Sequence, residues 1–307
     1  MLSISQIVRR ALVMQLAVPA FNVPYMPMIE PVIQAVIDQD SFALVEVARL
    51  EWRKFESQSL AAVATEFYRH NQPEYVRLHL DHVPVIDEDN LRVDFMPIFE
   101  EALGLGYESV MIDGSRLPLA ENIQVTRQVV ELAHEAGCPV EAELGAIMGH
   151  EAAPLFSYEE LFTTGRGFTN VEEARLFVQE TGCDWLSVAI GNIHGAIAAG
   201  RKDQKKIEAR LNIERLDQLS RASQIPLVLH GGSGIQQAAL MESTRHGIAK
   251  INVATEIRQP YETALKDTGS IPQAQQAVYD RTIWILQAFL GIAGKREKIL
   301  STGPVPL

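Results

Sequence analysis

Eight short runs of β-prone, largely apolar residues recur along the chain. Each is bounded by turn residues and followed by a segment with helical spacing. The runs are Val18–Val23, Phe42–Ala48, Tyr75–Asp81, Ser109–Asp113, Pro139–Leu144, Trp185–Ile190, Pro226–His230 and Ile248–Val253. Segments between them, such as Asn122–Ala136 and Val171–Thr181, carry apolar residues on one helical face and charges on the other. Glycines punctuate the rhythm: Gly106 and Gly182 precede strands, while Gly145, Gly191 and Gly231 follow them. Near the N-terminus, Ser3 and Gln6 have capping-box spacing, and Ile4, Ile7, Val8, Ala11 and Leu12 share one helical face. Arg9-Arg10 and the short apolar stretch after it are therefore read as helix and not as an export signal.

Strict alternation of strand and helix predicts a parallel sheet. Eight units over about 250 residues predict an α/β fold of one kind, a closed (β/α)8 TIM barrel. The competing doubly wound sheet usually carries a G-x-G-x-x-G turn after its first strand, and nothing after Val23 has that pattern. No low-complexity linker, internal repeat or compositional break divides residues 1–307, so they are read as a single domain. A C-terminal helical extension is expected from about Gln273 to Leu290.

Composition narrows the function classes. The 307 residues are 47% hydrophobic and 21% charged, enough for a substantial core, and the formal net charge is −12. That balance argues against nucleic-acid or membrane-surface partners, which need a basic face, and leaves phosphorylated small molecules open. No run of about 18 apolar residues predicts a membrane span. Cys138 and Cys183 are too few for a disulfide framework or a thiolate metal site; both are read as inert reduced thiols, which fits a cytoplasmic location. The stretch Ala196–Arg210 concentrates Arg201, Lys202, Lys205, Lys206 and Arg210. It reads either as a solvated loop and helix face or as a basic flap over an anionic substrate.

Chemically capable side chains collect at the C-terminal ends of the strands, where barrels of this kind keep their active sites. Three histidines, His82, His194 and His230, fall at or just past the ends of strands three, six and seven. Three neutral imidazoles suit a catalytic divalent cation, typically zinc, with positions left open for substrate. His79 shares a strand face with Asp81 and reads as interior packing or as support for a ligand. His70, His134 and His246 lie in helical patterns and read as surface residues. Asp81, beside a proposed ligand, is a candidate general acid or base, and Glu151 in a Gly-His-Glu-Ala-Ala-Pro loop is a candidate mobile base. Asp113 and Glu143 end neighbouring strands and could support the metal, offer it an alternative position, or simply bond to backbone amides. The turn His230-Gly-Gly-Ser-Gly234 offers successive N–H groups for an oxyanion, and Asn252 and Thr255 after strand eight could complete the cradle or cap a helix.

These residues resemble the class II, metal-dependent ketose-bisphosphate (fructose/tagatose-bisphosphate) aldolases, from Ala20-Phe-Asn-Val23 to about Arg258. The specific matches are His79-Leu-Asp-His82, Met111-Ile-Asp-Gly-Ser115, Val140-Glu-Ala-Glu-Leu-Gly145, Ala189-Ile-Gly-Asn-Ile-His-Gly195, Leu227-Val-Leu-His-Gly-Gly-Ser-Gly234 and Lys250-Ile-Asn-Val-Ala-Thr-Glu256. The resemblance implies a zinc-dependent barrel that reversibly cleaves a ketose 1-phosphate to dihydroxyacetone phosphate and an aldehyde. It places His82, His194 and His230 on the metal, with Asp113 and Glu143 at an alternative metal position. It assigns Asn22, Gly195, Gly231, Gly232, Ser233, Asn252, Ala254 and Thr255 to the substrate, with a monovalent cation (Na+ or K+) beside the phosphate in some members. Asp81 matches the residue that exchanges a proton with the aldehyde oxygen, and Glu151 the loop glutamate that exchanges the carbon-bound proton. A homodimer or homotetramer is implied as well.

The chain departs from the family pattern at the aldehyde end. Val83 stands where glycine usually follows Leu-Asp-His, and Met148-Gly149-His150 replaces a paired glycine. A serine common at the second strand's end is replaced near Ala48-Arg49, and Ile271-Pro272-Gln273 stands where many members carry Asp-Pro-Arg to grip a distal phosphate. Arg49, Arg258 or the Arg201–Lys206 stretch could recover that phosphate. Three alternatives stay open: an aldolase for an unphosphorylated or deoxy aldehyde, a catalytically silent phosphosugar-binding barrel, and a metallohydrolase. Lys250 is the residue a rival Schiff-base mechanism would use, and that mechanism leaves the histidines without a task.

Overall fold

The computed structural model describes residues 2–70, 72–145, 158–192, 209–232 and 234–301. Eight parallel strands close on themselves in sequence order: β1 (Val18–Asn22), β2 (Ala43–Ala48), β3 (Val76–Pro84), β4 (Ser109–Asp113), β5 (Val140–Leu144), β6 (Trp185–Val188), β7 (Leu227–Leu229) and β8 (Ile248–Val253). β1 pairs with both β2 and β8, so the barrel has no edge. The expected (β/α)8 barrel with C-terminal helices is the fold observed.

Period-two alternation sorts each strand into two faces. Val45, Val47, Leu78, Leu80, Val110, Ile112, Ala142 and Leu186 lie in register across neighbouring strands, and all are buried in the apolar core. The alternate positions are polar: Glu46 pairs with His79 and His79 with Ser109, while Glu141 pairs with Trp185 and Glu143 with Ser187. Where many barrels fill the lumen with branched aliphatics, this one fills it with ionisable groups.

β1 stops one residue early, at Asn22, and β6 and β7 stop earlier than expected because side chains take over their ladder partners. After β6, the Ala189 N–H bonds Thr169 Oγ1 at 2.8 Å and the Ile190 N–H bonds Asn192 Oδ1 at 2.9 Å. After β7, the His230 carbonyl accepts from Asn192 Nδ2 at 2.9 Å. β3 does the reverse and runs past Asp81 to Pro84, with a register shift against β4 between Leu80 and Val83. His82 sits in that irregularity at φ 33°, a left-handed value that costs a non-glycine residue about 1–3 kcal/mol. In a regular strand Asp81 and His82 would face opposite sides; here both reach the barrel mouth.

The helix Ile4–Val13 carries the expected capping box, with the Ser3 N–H donating to Gln6 Oε1 and the Gln6 N–H to Ser3 Oγ. Val171–Thr181 forms as expected, capped by Asn170, and Leu119–Glu135 begins three residues before Asn122. The C-terminal helix starts at Ile271, earlier than Gln273, because Ser270 caps it and Pro272 suits its first turn. It ends at Trp284 in a π-helical turn, Ile285–Phe289. Cys138 and Cys183 are buried free thiols, both pushed up to about 12 by burial. Among the described residues, no helix is long and apolar enough to cross a membrane.

Candidate active site

At the mouth of the barrel the rings of His82 and His230 meet edge to face, with centroids 4.6 Å apart. His230 Nδ1 lies 2.7 Å from His82 Nε2, so two ring nitrogens point at each other. Their outer nitrogens face carboxylates: His230 Nε2 is 2.7 Å from Glu141 Oε1, and His82 Nδ1 is 3.4 Å from Asp113 Oδ2. A carboxylate holds a proton on each outer nitrogen, so the two inner nitrogens share the remaining proton across their 2.7 Å contact. When that proton leaves, two lone pairs converge on one point, which is what a divalent cation needs.

Charge supports the same fit. Ligand atoms of Asp81, His82 and His230 lie within 4.8 Å of one another, as do those of His82, Asp113 and Glu143. Burial alone would lower His82, but Asp81, Asp113 and Glu143 outweigh it and hold the imidazole well above its ordinary value. Burial and the facing His82 lower His230, while burial and Asp113 push the Glu143 carboxyl well above its usual range. A proton on His82 thus supplies positive charge that a metal can replace. His194, Gly195, Glu151 and Ser233 lie outside the described residues.

Asp81 is buried between two amides. Its Oδ2 accepts from Asn22 Nδ2 and its Oδ1 from Asn252 Nδ2, both at 2.9 Å. Burial opposes its ionisation, yet His82, His230, Lys250 and His79 together hold it below the ordinary carboxylate value. Asp81 is therefore an anion able to accept a proton.

The family model described as fructose-bisphosphate aldolase class-II matches residues 2–298. The chain belongs to that family. Among solved structures, the YdjI aldolase from Escherichia coli K12 is 29% identical, with a TM-score of 0.76 over 97% of this chain and 100% of its own. A fructose-bisphosphate aldolase from Campylobacter jejuni is 16% identical, with a TM-score of 0.72 over 95% and 96% of the two chains, and shows the shared fold alone. As a class II aldolase the protein is a metal-dependent lyase.

Beneath the histidines the aldolase carries a charged layer that strand-end reasoning missed. Lys250 Nζ lies 2.9 Å from Glu141 Oε2, 3.3 Å from Glu46 Oε2 and 2.5 Å from Asn252 Oδ1. Trp185 Nε1 donates to Glu141 Oε2 at 2.8 Å, and His79 Nδ1 faces Ser109 Oγ at 2.8 Å. Glu46, His79 and Asp81 also bring ligand atoms within 4.8 Å of one another, but the Lys250 ammonium already stands there as the cation. Burial would strip the Lys250 proton, and Glu141, Glu46 and Asp81 hold it on, above the usual lysine value. A lysine held as ammonium is no nucleophile, which argues against the Schiff-base alternative. One signal could have exposed this layer: Glu46, Glu141 and Lys250 each interrupt an apolar strand, and buried charges need partners.

The loop after β7 has Gly231 at φ 66° and Gly234 at φ 91°, values that suit glycine at a sharp strand-to-helix turn. Asn252 does not cap the helix Thr255–Thr268, since its side chain turns inward to Asp81 and Lys250. That helix begins after Ala254 with no side-chain cap, and a helix N-terminus is the end that favours an anion. Arg49 pairs with Asp87 at 3.4 Å, and Arg258 binds both oxygens of Glu262 at 2.7 and 2.8 Å. The Arg201–Lys206 stretch is outside the described residues.

Glu51, in the first turn of the helix Arg49–Lys54, was given no role by the sequence and is buried: its Oε2 accepts the Ala48 N–H at 2.8 Å, and the carboxyl bonds Asn22. Burial raises it from 4.5 to about 8, helped by Asp81 and opposed by the Ala48 N–H, Asn22 and His82. Above the unfolded value the folded protein keeps a proton that the unfolded chain has lost, so stability falls as pH rises from about 4.5 to about 8. Glu51→Gln keeps an acceptor for Ala48 and cannot ionise. In chelator-treated protein its unfolding midpoint is expected to exceed that of wild type at about pH 8.5, and the gap to close by about pH 5. A gap that does not change with pH would count against ionisation of Glu51.

Proposed function

We propose that this aldolase reversibly cleaves a ketose 1-phosphate into dihydroxyacetone phosphate and an aldehyde, using zinc held by His82, His194 and His230. The observation that carries the reading is the pair of converging ring nitrogens, His82 Nε2 and His230 Nδ1, beside an ionised Asp81. When bound, the cation supplies positive charge that stabilises the ketone-side oxygen as it becomes negative. Asp113 and Glu143 give it an alternative position.

In the cleavage direction Asp81 takes the proton from the hydroxyl on the carbon that becomes the aldehyde. The O–H electrons form the new C=O, the carbon–carbon bond breaks, and its electron pair stays on the ketone fragment as an enediolate. Glu151 then protonates that carbon to give dihydroxyacetone phosphate, and condensation runs these steps in reverse. Gly195, Gly231, Gly232, Ser233, Asn252, Ala254 and Thr255 bind the dihydroxyacetone phosphate end, with Asn22 beside the reacting hydroxyl and a Na+ or K+ ion near the phosphate. The uncapped helix start after Ala254 supports a phosphate there.

Arg49 and Arg258, the described arginines considered for a distal phosphate, are both held by carboxylates. That favours an aldehyde without a second phosphate over fructose 1,6-bisphosphate. The protein is read as a single-domain cytoplasmic homodimer or homotetramer.

The test is exchange of the dihydroxyacetone phosphate carbon-bound proton with solvent deuterium, followed by NMR, which needs no knowledge of the aldehyde. Exchange that stops with chelator and returns with zinc is the expected result. No exchange by verified zinc-loaded protein would favour a silent phosphosugar-binding barrel, or a hydrolase if phosphate is released.

A further inference from the structure

From the charged layer under the site we infer that Lys250 is a positioning residue for Asp81, acting through the amide of Asn252. The inference rests on the proposed role of Asp81 in moving the hydroxyl proton. An asparagine amide is nearly symmetric in shape but not in chemistry, and its neighbours decide which end faces which way. Asn252 lies between a pure donor and an anion: Lys250 Nζ is 2.5 Å from Oδ1, and Asp81 Oδ1 is 2.9 Å from Nδ2. Turning the amide over would set NH2 against the ammonium and C=O against the carboxylate, replacing two attractions by two repulsions. The lysine charge therefore fixes an N–H on Asp81.

The lysine itself is held from three sides: Asn252 Oδ1 and Glu141 Oε2 lie within hydrogen-bond distance of its ammonium, and Glu46 Oε2 stands at 3.3 Å as a counter-charge whose oxygens accept no hydrogen bond among the described residues. Lys250, Glu46 and Glu141 are completely buried, so no solvent loosens the arrangement. Asn22 gives the other oxygen of Asp81 its donor, at 2.9 Å. With both oxygens held, the carboxylate has one orientation toward the reacting hydroxyl. Lys250 touches no reacting atom; it sets the aim of the group that does. Misplacement of such a group by about 1 Å can cost about 10²-fold in rate.

The experiment is a double-mutant cycle between Lys250→Met and Asp81→Asn. Three quantities are measured for each protein: zinc content, deuterium exchange into dihydroxyacetone phosphate, and condensation of dihydroxyacetone phosphate with the aldehyde that wild type uses fastest, in a screen that begins with glyceraldehyde. Lys250→Met is expected to slow condensation by about 10²-fold through kcat, with KM for dihydroxyacetone phosphate, zinc and exchange near wild type. In the Asp81→Asn background it should slow condensation no further. A purely structural role would lower all three readouts and add to the Asp81→Asn loss, which would overturn the inference. Lys250→Met leaves Glu46 facing no cation, so Glu46→Gln/Lys250→Met is the companion variant; Glu141 keeps Trp185 and His230 in it. Asn252→Asp keeps a partner for Lys250 and presents an acceptor to Asp81, so condensation should fall at least as far as in Lys250→Met; normal condensation by this variant would also overturn the inference. Failure of the functional reading looks different. Wild type would then condense no aldehyde, or Asp81→Asn would condense at the wild-type rate.

Discussion

His230→Ala is expected to take both the metal and the catalysis from this aldolase while leaving the barrel folded. His230 supplies one of the two facing ring nitrogens, and its outer nitrogen is fixed by Glu141 at 2.7 Å. Glu141 keeps Lys250 and Trp185 when the imidazole is gone, so the deletion leaves no unpaired charge behind. A cation that stabilises developing charge contributes several kcal/mol, so its loss should slow proton exchange by about 10³-fold or more. Bound zinc should fall to near zero while far-ultraviolet circular dichroism keeps its helical signature. Wild-type exchange with zinc fully retained would remove His230 from the ligand set.

The second large effect belongs to Asp81→Asn. General acid–base groups contribute about 10²–10⁴-fold, and a loss of that size is expected in carbon–carbon bond cleavage and condensation. Exchange at the dihydroxyacetone phosphate carbon and zinc content should be nearly unchanged, since neither uses this proton. The variant is close to isosteric, and its seating follows from its neighbours. With Lys250 holding Asn252 in place, the new amide must offer its oxygen to Asn252 Nδ2 and its NH2 to Asn22. Asn22 must then turn its oxygen inward, which a crystal structure of the variant would display. Equal losses in condensation and exchange would mean that Asp81 serves the metal and not the hydroxyl proton.

The barrel was legible because each strand is a short apolar run between turn residues, and Gly145, Gly191 and Gly231 mark where chemistry starts. His82, His230, Asp113 and Glu143 were legible because they stand at those ends. The layer below was not sought there: Glu46, Glu141 and Lys250 are single charges inside apolar strands, and only closure of the barrel brings β2, β5 and β8 to face one another. Local reading left Asn252 between a cradle and a cap and could not show its side chain turning inward, because the ammonium that draws it there sits two residues earlier on the same strand face. The shift in β3 that turns consecutive Asp81 and His82 to one side has no sequence signature, since no glycine marks it. Glu51 drew no reading from the sequence, and its burial beside Asn22 and Ala48 depends on the pairing of β1 with β2.

Trp185 gives this arrangement an optical consequence. Its indole is fully buried in the lumen and donates to the same carboxylate that orients His230. The colour of indole emission follows the electric field along the ring, and a change of charge on His230 alters that field through one shared carboxylate. Trp284, by contrast, is 41% exposed and lies under the Arg281 guanidinium at 3.9 Å, far along the chain from the lumen. The barrel thus has a built-in fluorophore wired to its ion-binding end; with the partly buried Trp52 and the exposed Trp284 replaced by Phe, loading of the site can be watched through Trp185 without any label.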